Sequence, residues 1–227
     1  MALPQQRIEV SAARPAAAEF LGTAALLVAV VGSGIMAERL SPANLGVALL
    51  ANALATGFVL YVLITALSPV SGAHFNPLVT AAAWLEGAIP ARAALVHMAA
   101  QWAGAVAGVW LAHLMFDLPV WQESRHARAG VGQWVSEVVA TSGLLVTIAG
   151  FARHAPAQLA AAVGAYIAAA YWFTASTSFA NPAVTTARAL TDTFAGIAPA
   201  NVPLFFTAQV AGLVLGLLLK RYFFGKR

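Results

Sequence analysis

Runs of apolar positions give six stretches long enough to span a hydrocarbon layer, which takes about 20 residues each: roughly 16–37, 43–67, 91–116, 131–151, 157–176 and 202–219. Two further apolar stretches are shorter and begin differently. "SGAHFNPLVTAAAWLEG", residues 71–87, and "SFANPAVTTARAL", residues 178–190, each open on turn formers, break at an Asn-Pro step and run on as a short helix pattern. About ten helical residues rise about 15 Å, half the hydrocarbon thickness. The pattern predicts an all-α membrane protein of six transmembrane helices, with two half-helices that meet end to end as a seventh crossing.

The two halves repeat. "NPLVTAAAWLEG" aligns with "NPAVTTARALTD", and "HMAAQWAGAVAG" with "FFTAQVAGLVLG", which sets Gln101 against Gln209, Gly104 against Gly212 and Gly108 against Gly216. Glu19 and Glu137 occupy matching places in the first and fourth apolar runs. Three spans per half is an odd number, so the second copy enters the membrane from the opposite side, an inverted-topology repeat. The expected organisation is an N-terminal segment over 1–15 and one channel domain over 16–227. Within it, repeat 1 covers about 16–116, repeat 2 about 131–219, and a basic tail 220–227.

Composition agrees with a bilayer setting: 61% of residues are hydrophobic and 9% charged, where a soluble domain carries about 25% charge. With six spans, Arg7, Arg14, Arg92, Arg153, Lys220, Arg221, Lys226 and Arg227 fall on one side, and Arg39, Arg125, Arg128 and Arg188 on the other. By the positive-inside rule both termini are cytoplasmic, and the net charge of +4 is a topology signal that needs no nucleic-acid partner. The first apolar run is too long for a signal-peptide core and is kept as a span. The absence of cysteine excludes disulfides, thiolate metal sites and a cysteine nucleophile; no metal or cofactor is expected. His97, His113 and His154 sit singly near span ends, where packing explains them.

Inversion brings the two Asn-Pro heads together near the midplane. Irregular backbone at that depth must line a cavity holding water or polar solute, because lipid cannot hydrogen-bond it. Pro77 and Pro182 sit at the first helical position, where the missing N–H has no helical partner anyway. Asn76 and Asn181 cap the half-helices, and their amides can also direct an N–H into the cavity. A pore with two positive helix ends and two amide donors at its centre opposes cations and suits neutral molecules with lone pairs.

On these residues, "SGAHFNPLVT" and "SFANPAVT" with Glu19 and Glu137, the chain resembles the aquaporin and glycerol-facilitator family, the major intrinsic proteins, over about residues 16–219. The resemblance implies a right-handed bundle, a pore in each subunit, a homotetramer, and an inner-membrane location in a bacterium. It also implies that Glu19 and Glu137 are buried carboxylates that hold the re-entrant loops, a structural use that fits the need of intramembrane acids for partners. His74 is expected to brace the first loop by hydrogen bonds.

Departures from the family pattern bear on the solute. The boxes read Asn76-Pro77-Leu78 and Asn181-Pro182-Ala183, with Leu78 where the family usually has alanine. Val184 stands where most members carry a filter arginine, so a fixed charge and several donors are missing. By spacing from the boxes, the rest of the filter falls on Thr56, Ala169 and Ser178. All are small, so the resemblance implies a wide filter of hydroxyls and methyls that passes glycerol, urea or the neutral hydroxides of boron, silicon or arsenic(III), and water beside them. Arg188, one helical turn past Val184, is expected either to reach back and replace the missing charge or to pair with Asp192 near the outer surface.

Two other readings stay open. A proton-coupled secondary transporter shares inverted repeats and broken helices, and a water-selective aquaporin shares the two boxes. No nucleophile, base and orienting residue fall together, which disfavours an enzyme. The triplets Ala100, Gly104, Gly108 and Ala208, Gly212, Gly216 read as close helix contacts.

Overall fold

The computed structural model describes residues 13–225. Most of the expected N-terminal segment, with Arg7, and the last two basic residues, Lys226 and Arg227, lie outside the described residues. Eight α-helices follow in chain order: α1 Ala13–Leu40, α2 Leu45–Ser71, α3 Pro77–Leu85, α4 Ala91–Met115, α5 Val131–His154, α6 Leu159–Phe173, α7 Pro182–Ala187 and α8 Val202–Phe224. Helices α3 and α7 are the half-helices, of 9 and 6 residues; a 3-10 turn, Arg188–Leu190, extends α7.

Most helices run a few residues past the hydropathy pattern, α8 to Phe224 where the pattern ends at 219, and two departures have a clear local cause. α2 continues past the predicted 67 to Ser71, with Pro69 inside its last turns, and closes on Gly72 in the left-handed region (φ 88°), whose N–H returns to the Ser68 carbonyl. α6 stops at Phe173, short of the predicted 176, because Thr174 turns extended. It is the shortest of the six long helices, 15 residues preceded by a 3-10 turn at Pro156–Gln158, and the other five are long and apolar enough to cross a membrane.

The packing repeats as the sequence does. α1 lies against α4 and α2, while α5 lies against α8 and α6, and α2 meets α6 between the halves. Crossings are close where glycine removes the side chain: Gly104 and Gly108 of α4 face the backbone of Phe20 and Ala24 on α1, and Gly212 of α8 faces Val138 and Thr141 on α5. Gly57 and Gly164 face each other's carbonyls across the α2–α6 contact. Without a hydrophobic drive between helices in lipid, such van der Waals approach is what holds a membrane bundle. The interior it encloses carries Leu27, Val31, Val109 and Ala140 with the two loops that precede α3 and α7.

Candidate functional site

Each loop is built around one buried carboxylate. Glu19, on α1, accepts from Ser71 Oγ at 2.6 Å and His74 N at 2.9 Å through Oε1, and from Phe75 N and Gln101 Nε2, both at 2.7 Å, through Oε2. Glu137, on α5, accepts from Ser176 Oγ at 2.6 Å and Phe179 N at 2.9 Å through Oε1, and from Ala180 N at 2.8 Å and Gln209 Nε2 at 2.6 Å through Oε2. Both glutamates are fully buried. Four donors converge on each group, the arrangement that allows an acid within a membrane span. His74 also meets Thr80 Oγ1 through Nδ1 at 3.1 Å and lies edge-on to His97.

The carboxylates force unusual backbone. Phe75 and Ala180, immediately before the two asparagines, both take φ 48°, a region that costs a non-glycine residue roughly 1–2 kcal/mol. That turn aims each carbonyl across the midplane. Asn76 Nδ2 donates to the Ala180 carbonyl and Asn181 Nδ2 to the Phe75 carbonyl, both at 2.8 Å. Their Oδ1 atoms cap the half-helices, accepting from Leu78 N at 2.9 Å and Ala183 N at 3.0 Å. One proton of each amide is thus spent on the opposite loop and one remains for the cavity that both asparagines line.

That cavity, about 320 Å³, runs from Arg188, Thr56 and Tyr171 past the meeting point of the loops toward the face that carries the chain ends. Its long wall is apolar, with Leu26, Val30, Leu60, Ile148 and Ile167. Near the chain ends it is bounded by Glu86, paired with Lys220, and by Arg153, which donates to the Phe224 carbonyl. Leu78 turns away from it and packs with Leu145 and Leu213, so the extra bulk in the first box is absorbed by the core.

Of the residues expected in a filter, Thr56, Ser178 and Val184 line the cavity together, and Arg188 joins them. Ala169 does not. It is exposed on the outside of α6, while Ile167 and Tyr171 face inward. Counting back from Asn181 assigns Ala169 to the ring; the nonhelical residues after Phe173 break the helical phase on which that count depends. The inward residue is Tyr171, whose hydroxyl donates to Thr56 Oγ1 at 3.3 Å. Tyr171 thus puts an aromatic ring and a hydroxyl on the cavity wall where the count from Asn181 put a methyl.

Arg188 is buried, 2% exposed. Its guanidinium lies 3.4 Å from the centre of the Phe179 ring and Nε donates to the Ala195 carbonyl. It does not pair with Asp192, which binds Arg125 instead at 2.6 Å. Sequence reasoning missed a second cation: Arg128, in the segment between α4 and α5, lies 5.1 Å from the same ring. Its Nε donates to the Gly196 carbonyl at 2.7 Å and its backbone N–H to Asn201 Oδ1 at 2.9 Å. The same segment is fastened by Ser124 N to the Ala189 carbonyl and by Ala198 N to the His126 carbonyl. His113 ties α4 to the segment that follows it and to the stretch after α7, reaching the Val120 carbonyl and Thr191 Oγ1. At the surface, the Arg125 backbone N–H and then its guanidinium hold the Asp192 carboxyl below the usual carboxylate range.

Comparisons with known proteins point the same way. The model of the major intrinsic protein family matches residues 6–156. The chain is 51% identical over 214 residues to aquaglyceroporin AqpS of Rhizobium meliloti strain 1021, covering 94% of this chain and 91% of that protein. A shorter match, 39% over 99 residues, joins it to the propanediol uptake facilitator PduF of Citrobacter freundii, covering 44% of this chain and 36% of that one. Among solved structures it is similar in fold to the aquaglyceroporin from Plasmodium falciparum, with a TM-score of 0.70 and 21% identity over 95% of this chain and 96% of that one.

Proposed function

The chain belongs to the major intrinsic protein family, and from that premise we propose that it is a passive transmembrane channel for small neutral solutes. The observation that carries the reading is the paired capping of α3 and α7 by Asn76 and Asn181 at the centre of a cavity. A solute there meets amide donors on one side and the apolar wall of Leu26, Val30 and Ile167 on the other. A polyol presents the matching two faces, hydroxyls and carbons. Cations are opposed by two helix ends and by Arg188.

The filter of this channel is Thr56, Tyr171, Ser178, Val184 and Arg188. Val184 leaves room that a guanidinium would occupy, and Arg188 supplies charge from one turn further along. Glycerol is the reference solute, in keeping with the name aquaglyceroporin carried by the half-identical relative; urea and the neutral hydroxides of boron, silicon and arsenic(III) fit the same size and polarity. The face with the chain ends is cytoplasmic, as the lysine and arginine distribution supports, in the inner membrane of a bacterium. Each subunit carries its own pore within a homotetramer.

Stopped-flow light scattering on proteoliposomes tests the width of the filter. Arsenous acid, at a pH where it is neutral, is expected to enter about as fast as glycerol, within roughly threefold. Entry of water alone would contradict the wide filter.

A further inference from the structure

We infer that the outer end of the cavity holds a binding subsite for a small monovalent oxyanion, with the Arg188 guanidinium as its charge and the Ser178 hydroxyl as a second donor. The inference rests on the channel reading only for its flux readout.

One buried and one half-buried cation flank one ring. Arg188 and Arg128 lie 3.4 and 5.1 Å from the centre of Phe179. Among the described residues neither has a carboxylate partner: the ion pairs are Arg125 with Asp192 and Lys220 with Glu86. The nearby acid, Glu137, is spent on its four donors. Two positive charges against one negative leave a surplus of one, and a buried charge requires a partner or a counter-ion.

The two arginines differ in what they have left to give. Arg128 directs Nε, Nη1 and Nη2 toward the carbonyls of Gly196, Ser176 and Phe194. Arg188 spends only Nε, on Ala195; among the described residues no protein acceptor meets its terminal nitrogens, and it lines the cavity. A planar fork of free N–H groups is the geometry that recognises a planar oxyanion.

Ser178 offers the second donor. It is 2% exposed, lines the same cavity, and its Oγ has no hydrogen-bond partner. Buried hydroxyls are nearly always satisfied, so this one is free to donate to whatever Arg188 holds. The opposite hydroxyls are committed, Tyr171 to Thr56 and Thr56 to the Asn52 carbonyl. Past the asparagine amides the wall of Leu60 and Ile167 offers an anion no donors. An oxyanion held at Arg188 sits in the path of neutral solute and obstructs it.

Nitrate is the probe, because it is planar, carries one charge and has no neutral acid form near neutral pH. Glycerol reswelling of proteoliposomes is measured with nitrate against gluconate at equal ionic strength, and nitrate is titrated calorimetrically into the full-length protein in detergent. Nitrate is expected to slow glycerol flux saturably, about fivefold or more; Arg188→Gln abolishes the effect, and Ser178→Ala raises the half-effective concentration about tenfold, the scale of one hydrogen bond to a charged group. Unchanged flux with nitrate, or equal slowing in the wild type and Arg188→Gln, overturns the subsite while leaving the channel intact. Should Arg188→Gln fail to fold, an unshifted half-effective concentration in Ser178→Ala overturns it. If the protein passes no glycerol, the channel reading fails and calorimetry decides: nitrate heat lost in Ser178→Ala or Arg188→Gln supports the subsite, and no heat in the wild type overturns it.

Discussion

Asn76 and Asn181 brace each other's loops: each side-chain Nδ2 lies 2.8 Å from the carbonyl of the residue that precedes the other asparagine. The exchange joins one segment from each half of the chain into one septum. It exists because Glu19 and Glu137 hold Phe75 and Ala180 in the left-handed region, which turns those carbonyls toward the partner loop.

The carboxylates should therefore control stability and flux together. Glu137→Gln replaces an all-acceptor group by one that brings an N–H₂ against converging donors, a loss of about 3 kcal/mol or more. The melting temperature in detergent is expected to fall by about 10 °C, and glycerol flux to disappear. Glu19→Gln should match it, since its four donors are the same kinds of group; a melting temperature within about 2 °C of wild type for both variants would be inconsistent with this bracing.

Val184→Arg restores the guanidinium that the family pattern places in the filter. Glycerol flux is expected to fall about tenfold or more while water permeability changes less than about threefold, because a narrowed polar ring excludes by size first. Stopped-flow measurements of both solutes on one preparation check it, and unchanged glycerol flux would remove Val184 from the filter.

Tyr171→Ala tests the residue that spacing did not find. Removing the ring opens the cavity wall and frees Thr56. Flux of a five-carbon polyol such as xylitol, relative to glycerol, is expected to rise about fivefold. Ala169→Leu, on the outside of the same helix, should leave that ratio unchanged.

The surface pair of Asp192 with Arg125 gives a pH dependence with a definite sign. The Asp192 carboxyl is held below its ordinary value, chiefly by the Arg125 backbone N–H. Its contribution is present above the unfolded carboxylate range and is lost as pH falls through the folded value. Asp192→Asn is expected to lower stability by less than about 1 kcal/mol at neutral pH, because Arg125 is largely in water. Thermal melts should show that difference constant from pH 8 to 5 and vanishing in stronger acid.

How far the sequence carries depends on whether a feature is local. The asparagine caps, the prolines at the first helical position and the small-residue spacing around Gly104 and Gly212 are local rules, and all appear as expected. Glu19 and Glu137 were legible through the repeat, since an acid in matching apolar runs has to find donors. Ala169 was misplaced because linear spacing cannot count helical phase across the nonhelical residues that follow Phe173. Arg128 was invisible as part of the site, since only the tertiary path of the 116–130 segment, pinned at Ser124 and His126, brings it to Phe179.

Passive conduction is tested most directly by the initial rate of glycerol uptake into proteoliposomes as a function of the glycerol gradient, with and without a transmembrane pH gradient. A channel of this construction gives a rate that rises linearly with the glycerol gradient and ignores the proton gradient. A rate that saturates and falls when the proton gradient is collapsed would contradict it, and would assign the buried acids to proton coupling.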